Sequence, residues 1–140
     1  MSRELSIEIL TPNRVLLREQ VSEVYFPAYD GERGVLPGHS DFIGLLGTGV
    51  LRAVKAQHRR YFMLSGGLYA VRDGVLSFFA EVAEGHNDID CDKASSRVAE
   101  IEQTFADLAR YKPEDYDKLK FDYVKNQARV EVCRRSQAGA

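Results

Sequence analysis

The chain lacks the features that mark several large classes of protein. Its 140 residues include 19 Lys and Arg against 21 Asp and Glu, a formal net charge of −2. Because binding to nucleic-acid phosphates requires a clustered excess of cations, we expect no nucleic-acid partner. No apolar run approaches the ~20 residues of a spanning helix, so we expect no membrane insertion. The opening residues MSRELSIEIL have the pattern of neither a signal peptide nor a transit peptide.

Cysteine and histidine are also scarce, with two Cys and three His in the whole chain. Cys91 and Cys133 stand near opposite ends of a region predicted below to be helical, at no spacing typical of metal ligands. His58 and His86 likewise have no ligand-type neighbours at a metal-binding interval. We therefore expect two free thiols, as in a reducing compartment, with no disulfide framework and no metal site.

The first part of the chain has the pattern of short β-strands. From Leu5 to Val82 apolar and polar residues tend to alternate, and glycine or proline recurs between the apolar segments. Gly66-Gly67 is predicted to be a turn, and Asp73-Gly74 is a strong hairpin signal because both positions tolerate positive φ. The sequence predicts an antiparallel β-sandwich over residues 1–84 that folds as a domain of its own.

The hydrophobic period changes after Val82. Residues 85–89 are the predicted hinge, and Asp90 is a suitable N-cap for a helix. Pro113, followed by acidic residues, opens a second helix. The first helix carries one apolar stripe at steps of four and three: Ala94, Val98, Ile101, Phe105 and Leu108.

The predicted fold is therefore mainly β plus α, with an N-terminal antiparallel β-sandwich followed by a C-terminal two-helix antiparallel hairpin over residues 90–140. A hairpin of this length buries too little apolar surface to be stable by itself, so it must dock on its own sandwich or on another protein. The last predicted strand favours the sandwich, because Val75 and Phe79 lie opposite Leu76 and Phe78. A strand that is apolar on both faces is usually covered on both.

The segment YDGERGVLPGHSDF, Tyr29 to Phe42, carries residue types found in catalytic sites. His39, Ser40 and Asp41 are adjacent in sequence, however, whereas a nucleophilic triad converges from separated positions. The glycines also fit no phosphate-binding loop, because no GK[ST] follows them. We therefore predict no catalytic residue in this segment.

Its glycines and proline instead predict a rigid loop. Gly34 and Gly38 are expected at turn positions around the VLPG step. The charged tip formed by Asp30, Glu32 and Arg33 is then free to face a partner protein.

Four motifs together resemble the epsilon subunit of the F-type rotary ATP synthase. They are DGERGVLPGH at Asp30–His39, GVLR at Gly49–Arg52, SGG at Ser65–Gly67 and IDCDKA at Ile89–Ala94. Their order and spacing, and the change from strands to a helical hairpin, extend the resemblance over nearly the whole chain. The resemblance implies a non-catalytic subunit of the central stalk that couples proton-driven rotation to ATP synthesis.

The resemblance also implies partners and a location. The partner-binding residues would be Asp30, Glu32, Arg33, His39 and Ser40, with Glu32 facing the ring of c-subunits and the loop around His39 near the gamma subunit. The hairpin would reach the catalytic alpha and beta subunits and inhibit ATP hydrolysis. The protein would lie peripherally at the cytoplasmic face of the bacterial inner membrane, or on the stromal side of the thylakoid if it is plastid-encoded.

Some members of this family bind regulatory ATP through a motif like IDxxRA, and no other cofactor is implied. Ile89, Asp90 and Ala94 match that motif, while Lys93 stands in the place of the arginine. Lysine keeps the positive charge but lacks the planar fork that holds phosphate at two points. Asp90 as a helix cap explains the same segment equally well, so regulatory ATP and a simple helix start both stay open.

The second helix ends in the cations Arg129, Arg134 and Arg135, which we predict to form the inhibitory surface of the hairpin. Compensation of the helix dipole explains the same placement. Two other functions remain as alternatives: a β-sandwich module with a helical tail that binds a small ligand such as a nucleotide, and a hydrolase that uses His39.

Overall fold

The computed structural model describes residues 4–107 and 112–138. A short 3₁₀ turn, His86–Asp88, follows the strands, and the helices are α1 (Cys91–Phe105) and α2 (Pro113–Ala138). Leu108, the last member of the predicted apolar stripe, lies outside the described residues. The strands are β1 (Leu5–Leu10), β2 (Val15–Val21), β3 (Glu23–Ala28), β4 (Gly31–Val35), β5 (Phe42–Leu45), β6 (Thr48–Lys55), β7 (His58–Arg72) and β8 (Val75–Gly85).

The predicted fold class is confirmed, because a β-sandwich precedes two helices. The hydrogen-bonded strand order is β2-β1-β8-β7-β6-β3-β4, and β5 pairs with β7. Every pair is antiparallel except β1 with β8, which is parallel. The predicted Asp73-Gly74 hairpin is confirmed, with φ angles of 52° and 78° between β7 and β8.

The prediction of a turn at Gly66-Gly67 is wrong, because both glycines lie inside the 15-residue strand β7. They have φ angles of 71° and 103°, in the left-handed region that favours glycine. A Cβ atom on Gly67 would collide with the backbone carbonyl of Phe79 on the neighbouring strand. The glycines therefore serve a close backbone approach within the sheet and do not reverse the chain.

These glycines also change which side chains of β7 face the main core. Before them the core-facing side chains are Phe62 and Leu64, at even positions, whereas after them they are Tyr69 and Val71, at odd positions. Because side chains normally alternate along a strand, β7 turns over between the two segments. Each half of β7 thus belongs to a different layer of the sandwich.

The pairing of the other strands follows this division. In the first layer, β4, β3 and β6 join residues 58–65 of β7 and the end of β8. In the second layer, β5 joins residues 68–71 of β7, and β1 with β2 joins the start of β8. Phe26 of the first layer packs against Tyr69 and Phe78 of the second, with ring centroids 4.6 and 4.9 Å apart. The core lies between the layers.

Both helices begin as the sequence predicts. The Asp90 side chain accepts a hydrogen bond of 3.1 Å from the backbone N–H of Lys93, which caps α1, and Pro113 is the first residue of α2. Strand β8 continues to Gly85, one residue beyond the predicted boundary at residue 84.

The hairpin docks on its own sandwich, over the outer face of the first layer. Tyr61 and Met63 of β7 form a buried cluster with Ala128 and Val132 of α2. Met63 and Val132 are both fully buried, so the strand segment around residue 62 is covered on both faces. The sequence favoured docking of the hairpin over Val75 and Phe79, but the hairpin does not cover these two residues.

The prediction of two free thiols is wrong, because Cys91 and Cys133 form a disulfide. Cys91 is the first residue of α1, and Cys133 lies near the end of α2. In an antiparallel hairpin the start of the first helix lies beside the end of the second. A separation of 42 residues in sequence therefore becomes a Cα–Cα distance of 6.1 Å, within the usual range for a disulfide.

Candidate functional site

The charged tip predicted from the sequence lies on the hairpin of β3 and β4. Asp30 and Glu32 are exposed, and Arg33 is half-buried. The Arg33 guanidinium lies 4.6 Å from the ring centroid of Phe42, a distance that suits a cation–π contact. The two carboxylates therefore point into solvent while the neighbouring cation is held against the sandwich.

Part of the predicted loop is a strand. Gly34 lies in β4 opposite Tyr25 of β3, without a positive φ, so its predicted turn position is wrong. A Cβ atom there would come within 2.9 Å of the Tyr25 ring, which explains the glycine by close packing. Gly38 has a φ of 85° and does occupy a left-handed turn.

His39 and Ser40 are exposed at the base of this segment and do not form a catalytic relay. The Nδ1 atom of His39 lies 2.9 Å from the backbone carbonyl oxygen of Ser40. The Asp41 carboxylate accepts a hydrogen bond of 3.2 Å from the backbone N–H of Asp73. The His39 ring and the Asp41 carboxylate are therefore engaged with backbone atoms, and within residues 4–107 and 112–138 no hydrogen bond joins the side chains of His39, Ser40 and Asp41.

A surface that the sequence analysis missed lies on the outer face of the second layer. Leu45, Leu68, Phe79 and Leu10 are direct partners across β5, β7, β8 and β1, and Ile43 stands two residues from Leu45. Partners across a sheet share a face, so these five side chains form one surface, here called the outer apolar patch. Ile43 is 73% exposed and Leu45 is 58% exposed. The sequence signal that could have revealed this patch is the pair of apolar residues at alternate positions of β5, Ile43 and Leu45.

The residues of the IDxxKA motif line an open cleft of about 540 Å³ where the hairpin meets the end of β8. The cleft is lined by Ile89, Asp90, Lys93 and Ala94 of the motif and by Arg129 of α2. Two more lining groups, Arg97 of α1 and Asn126 of α2, were not predicted from the sequence.

The electrostatics of this cleft disfavour a free anion. Five carboxylates line it against three cationic side chains. Arg129 Nε donates to Glu84 of β8 at 2.7 Å, and Arg97 Nε donates to Asp122 of α2 at 2.7 Å. The hydrogen bond from Asp122 raises the pKa of Arg97 above its usual value. Both arginines are thus already paired.

The other two predicted cations of α2 share one carboxylate. Arg135 Nε donates to Glu131 at 2.6 Å, and Arg134 also donates to Glu131 through Nε at 3.0 Å. The hydrogen bonds from Arg134, and then from Arg135, lower the pKa of Glu131 to about 2. The fold therefore places Arg134 and Arg135 together near the helix end, but Arg129 lies apart from them at the cleft.

One group of potential metal ligands occurs in the described part of the chain. A ring nitrogen of His86 and the sulfur atoms of Cys91 and Cys133 lie within 4.8 Å of one another. Both sulfur atoms are joined in the disulfide, so neither is available as the thiolate that binds a metal. Their spacing in the sequence matches no metal-binding motif, so no sequence signal connects the three residues.

Comparison with known proteins assigns this β-sandwich with its helical hairpin to the delta/epsilon class. Residues 4–86 match the family described as ATP synthase, Delta/Epsilon chain, beta-sandwich domain. The ATP synthase epsilon chain of Solibacter usitatus is 41% identical over 98 residues, which cover 70% of this chain and 73% of that protein. The ATP synthase epsilon chain of Nitratidesulfovibrio vulgaris is 34% identical over 131 residues, 94% of this chain and 91% of that protein.

The chain belongs to the ATP synthase epsilon chain family. Proteins of this family form one subunit of the ATP synthase, and catalysis lies in other subunits of that complex. A chain in the Euglena gracilis mitochondrial ATP synthase, solved as OSCP/F1/c-ring in rotational state 1, aligns with a TM-score of 0.67 and 20% identity. The alignment covers 99% of this chain and 82% of that one, and it shows the shared fold. Within residues 4–107 and 112–138, no helix is both long and apolar enough to cross a membrane.

The low pKa of Glu131 predicts how acid weakens the end of α2. A carboxylate whose pKa falls from 4.5 to about 2 on folding stabilises the folded chain above pH 4.5. That contribution is lost as the pH falls from about 4.5 to about 2. Thermal unfolding followed by circular dichroism should show a smaller loss of melting temperature across this window for Glu131→Gln than for the parent chain. Glu4→Gln, at an exposed position, is the control, and equal slopes for Glu131→Gln and the parent would contradict the prediction.

Proposed function

We propose that this chain is the epsilon subunit in the central stalk of an F-type ATP synthase, where it couples rotation to ATP synthesis and restrains ATP hydrolysis. The observation that carries the proposal is the difference between the two outer faces of the sandwich. The hairpin covers the first layer, whereas the second layer exposes the outer apolar patch. A contiguous exposed apolar surface of this kind is typical of a contact with another protein.

The gamma subunit is the proposed partner for the outer apolar patch. Two subunits that rotate together as one rigid body must stay bound to each other. Long-lived interfaces of this kind rely on apolar burial more than on exposed ion pairs. His39 lies near the start of β5, where its ring centroid is 6.5 Å from that of Phe42, and we propose that it contacts gamma at the border of this surface. We place Ser40 at the same border.

The c-ring is the proposed partner for the charged tip. Asp30 and Glu32 are exposed at the end of the β3–β4 hairpin, and Arg33 is held beside them against Phe42. Exposed carboxylates on a short, well-anchored hairpin suit the polar loops of a membrane-bound ring. Such a polar contact aligns the two surfaces without burying a large area. The protein would then sit peripherally on the membrane-bound part of the complex.

Inhibition would require the hairpin to leave the first layer and reach the catalytic alpha and beta subunits. The contact it would leave is the buried cluster of Tyr61, Met63, Ala128 and Val132, with Val50, Val82 and Ile89 packed against it, and the ion pair between Arg129 and Glu84. A partner that binds the undocked hairpin more tightly than it binds the docked one shifts the populations toward the undocked state.

Replacing Ile43 with Lys should weaken binding to gamma without unfolding the chain. Ile43 is 73% exposed, so the folded chain loses little, whereas a lysine buried in an apolar interface is costly. We expect at least a roughly tenfold loss of affinity for purified gamma, equivalent to ~1.4 kcal/mol. Gln20→Lys adds the same charge on the second layer away from the patch and is the control. Equal affinity of the two variants for gamma would contradict the proposal that gamma binds the outer apolar patch.

The inhibitory role is tested by two changes with opposite expected effects on ATP hydrolysis in the assembled complex. Deleting the chain from Asp90 onward should raise hydrolysis, because the inhibitory element is gone. Glu84→Gln should lower hydrolysis, because Arg129 loses its partner and the undocked hairpin becomes more populated. A lost charge-assisted hydrogen bond of ~1.5 kcal/mol shifts that ratio roughly tenfold.

The same assay carries the matched controls. Glu81→Gln removes another carboxylate of β8 and should leave hydrolysis unchanged. Arg134→Gln combined with Arg135→Gln should raise hydrolysis, since we propose that these cations contact the catalytic subunits. Equal rates in the intact, shortened and Glu84→Gln complexes would overturn the inhibitory role.

Regulatory ATP stays a prediction, and the cleft at the IDxxKA motif is its proposed site. Because carboxylates outnumber cations there, we expect weak binding of ATP by the parent chain. Asp122→Asn removes one negative charge and leaves Arg97 paired with Glu100 at 3.0 Å, so it should strengthen binding roughly tenfold, ~1.4 kcal/mol. Calorimetric titration with ATP measures the affinity of the parent chain and of the Asp122→Asn chain. Asp92→Asn, on the exposed first turn of α1, is the control. No saturable binding to the Asp122→Asn chain would contradict a nucleotide site.

A further inference from the structure

The disulfide connects the hairpin to itself at the place where the hairpin meets the sandwich. Cys91 follows the end of β8 by only six residues, and the intervening turn is anchored to the first part of the chain by the ion pair of Arg14 with Asp88 at 2.8 Å. Cys133 lies in the last two turns of α2. The bond therefore ties the far end of the chain to the base of the hairpin.

We infer that Cys91 and Cys133 form a redox-controlled tether that decides whether α2 can leave the sandwich. With the disulfide formed, the end of α2 stays beside the start of α1 and hence beside β8. With the two thiols reduced, only non-covalent contacts hold it there. The consequence for ATP hydrolysis rests on the proposed inhibitory role of the hairpin, whereas the tether itself does not.

The position of the disulfide makes it effective as a restraint. Helix α2 has 26 residues, a length of ~39 Å at ~1.5 Å per residue. Fixing Cys133 prevents this helix from sliding along α1 or separating from it at the hinge end. Arg129, one helical turn before Cys133, is paired with Glu84 on β8. The covalent bond and the ion pair thus restrain the same end of α2.

The two cysteines differ in exposure, and from this difference we expect a reductant to attack Cys91 first. Cys91 is half-buried, whereas Cys133 is 6% exposed. The thiolate of a dithiol reductant, either a protein dithiol or dithiothreitol, attacks the more accessible Cys91 Sγ. The bond between the two sulfur atoms breaks, and Cys133 leaves with the electron pair as a thiolate.

The remaining steps complete a two-electron transfer. The Cys133 thiolate takes a proton from water. The second thiolate of the reductant then attacks its own sulfur in the mixed disulfide, and Cys91 leaves as a thiolate and is protonated. The reductant ends as a disulfide. Oxidation runs in reverse, with a small disulfide such as oxidised glutathione accepting the two electrons.

Hydrogen–deuterium exchange of the full-length chain tests the tether directly. The chain is first oxidised with oxidised glutathione, and mass spectrometry establishes whether the Cys91–Cys133 bond forms. Reduction with dithiothreitol should then speed exchange in residues 126–138 at least ~tenfold, because undocking of α2 is no longer restrained. Exchange in β1, whose residues lie in the second layer, should not change.

Cys91→Ser is the matched variant, since it removes only one half-buried sulfur atom. Its α2 should exchange at the fast rate before and after reductant is added. Failure of the parent chain to form the bond under oxidised glutathione, or equal exchange of oxidised and reduced parent chain, would overturn the tether. Because the comparison of the two states of the parent involves no substitution, a folding defect in the variant would not affect this outcome.

A second measurement separates the tether from the proposed function. ATP hydrolysis by the assembled complex should be higher with oxidised chain than with reduced chain, because only the reduced hairpin can reach the catalytic subunits. If exchange responds to reduction and hydrolysis does not, the tether is supported and the inhibitory role is overturned. If hydrolysis of a complex with Cys91→Ser still responds to reductant, another thiol of the complex is responsible and the tether has no part in the response.

Discussion

Gly66 and Gly67 hold φ angles of 71° and 103° inside a single strand, and this backbone geometry lets β7 turn its core-facing side over. The first half of β7 then belongs to one layer and the second half to the other. A side chain at Gly67 would meet the backbone of Phe79, which cannot give way as a flexible side chain can. Both outer faces of the sandwich therefore depend on two residues without side chains.

The turn-over of β7 also links the two surfaces that we propose to be functional. Met63 of β7 packs under the hairpin, and Leu68 of the same strand lies in the outer apolar patch. Only four residues of β7 thus lie between the hairpin's docking face and the proposed gamma-binding face. Hydrogen bonds to β6 and β8 hold this strand on both sides, so the two faces are joined through the sheet and not through a loop.

The sequence predicted the features that local chemistry determines and missed those that need three-dimensional packing. The Asp73-Gly74 hairpin and the Asp90 cap follow from one or two residues and are correct. Gly66-Gly67 was wrong because a glycine pair in a turn and one at a close strand approach have the same sequence signal. The disulfide could have been found, since the predicted antiparallel hairpin already brings Cys91 and Cys133 to the same end. The charge pairing in the cleft could not, because it depends on the angle at which α2 crosses β8.

The contacts that hold the two helices together and the contacts that hold the hairpin on the sandwich lie at different ends of the hairpin. At the far end, Phe105 of α1 packs against Tyr116 and Tyr123 of α2, with ring centroids 5.6 and 5.8 Å apart, and these contacts lie within the hairpin. At the hinge end, Arg129 of α2 binds the sandwich through Glu84. The disulfide lies at this hinge end, so while it is intact it keeps the end of α2 beside the start of α1 and beside β8. Once it is reduced, α2 can leave the sandwich as an intact helix, because the contacts that it must then break are non-covalent.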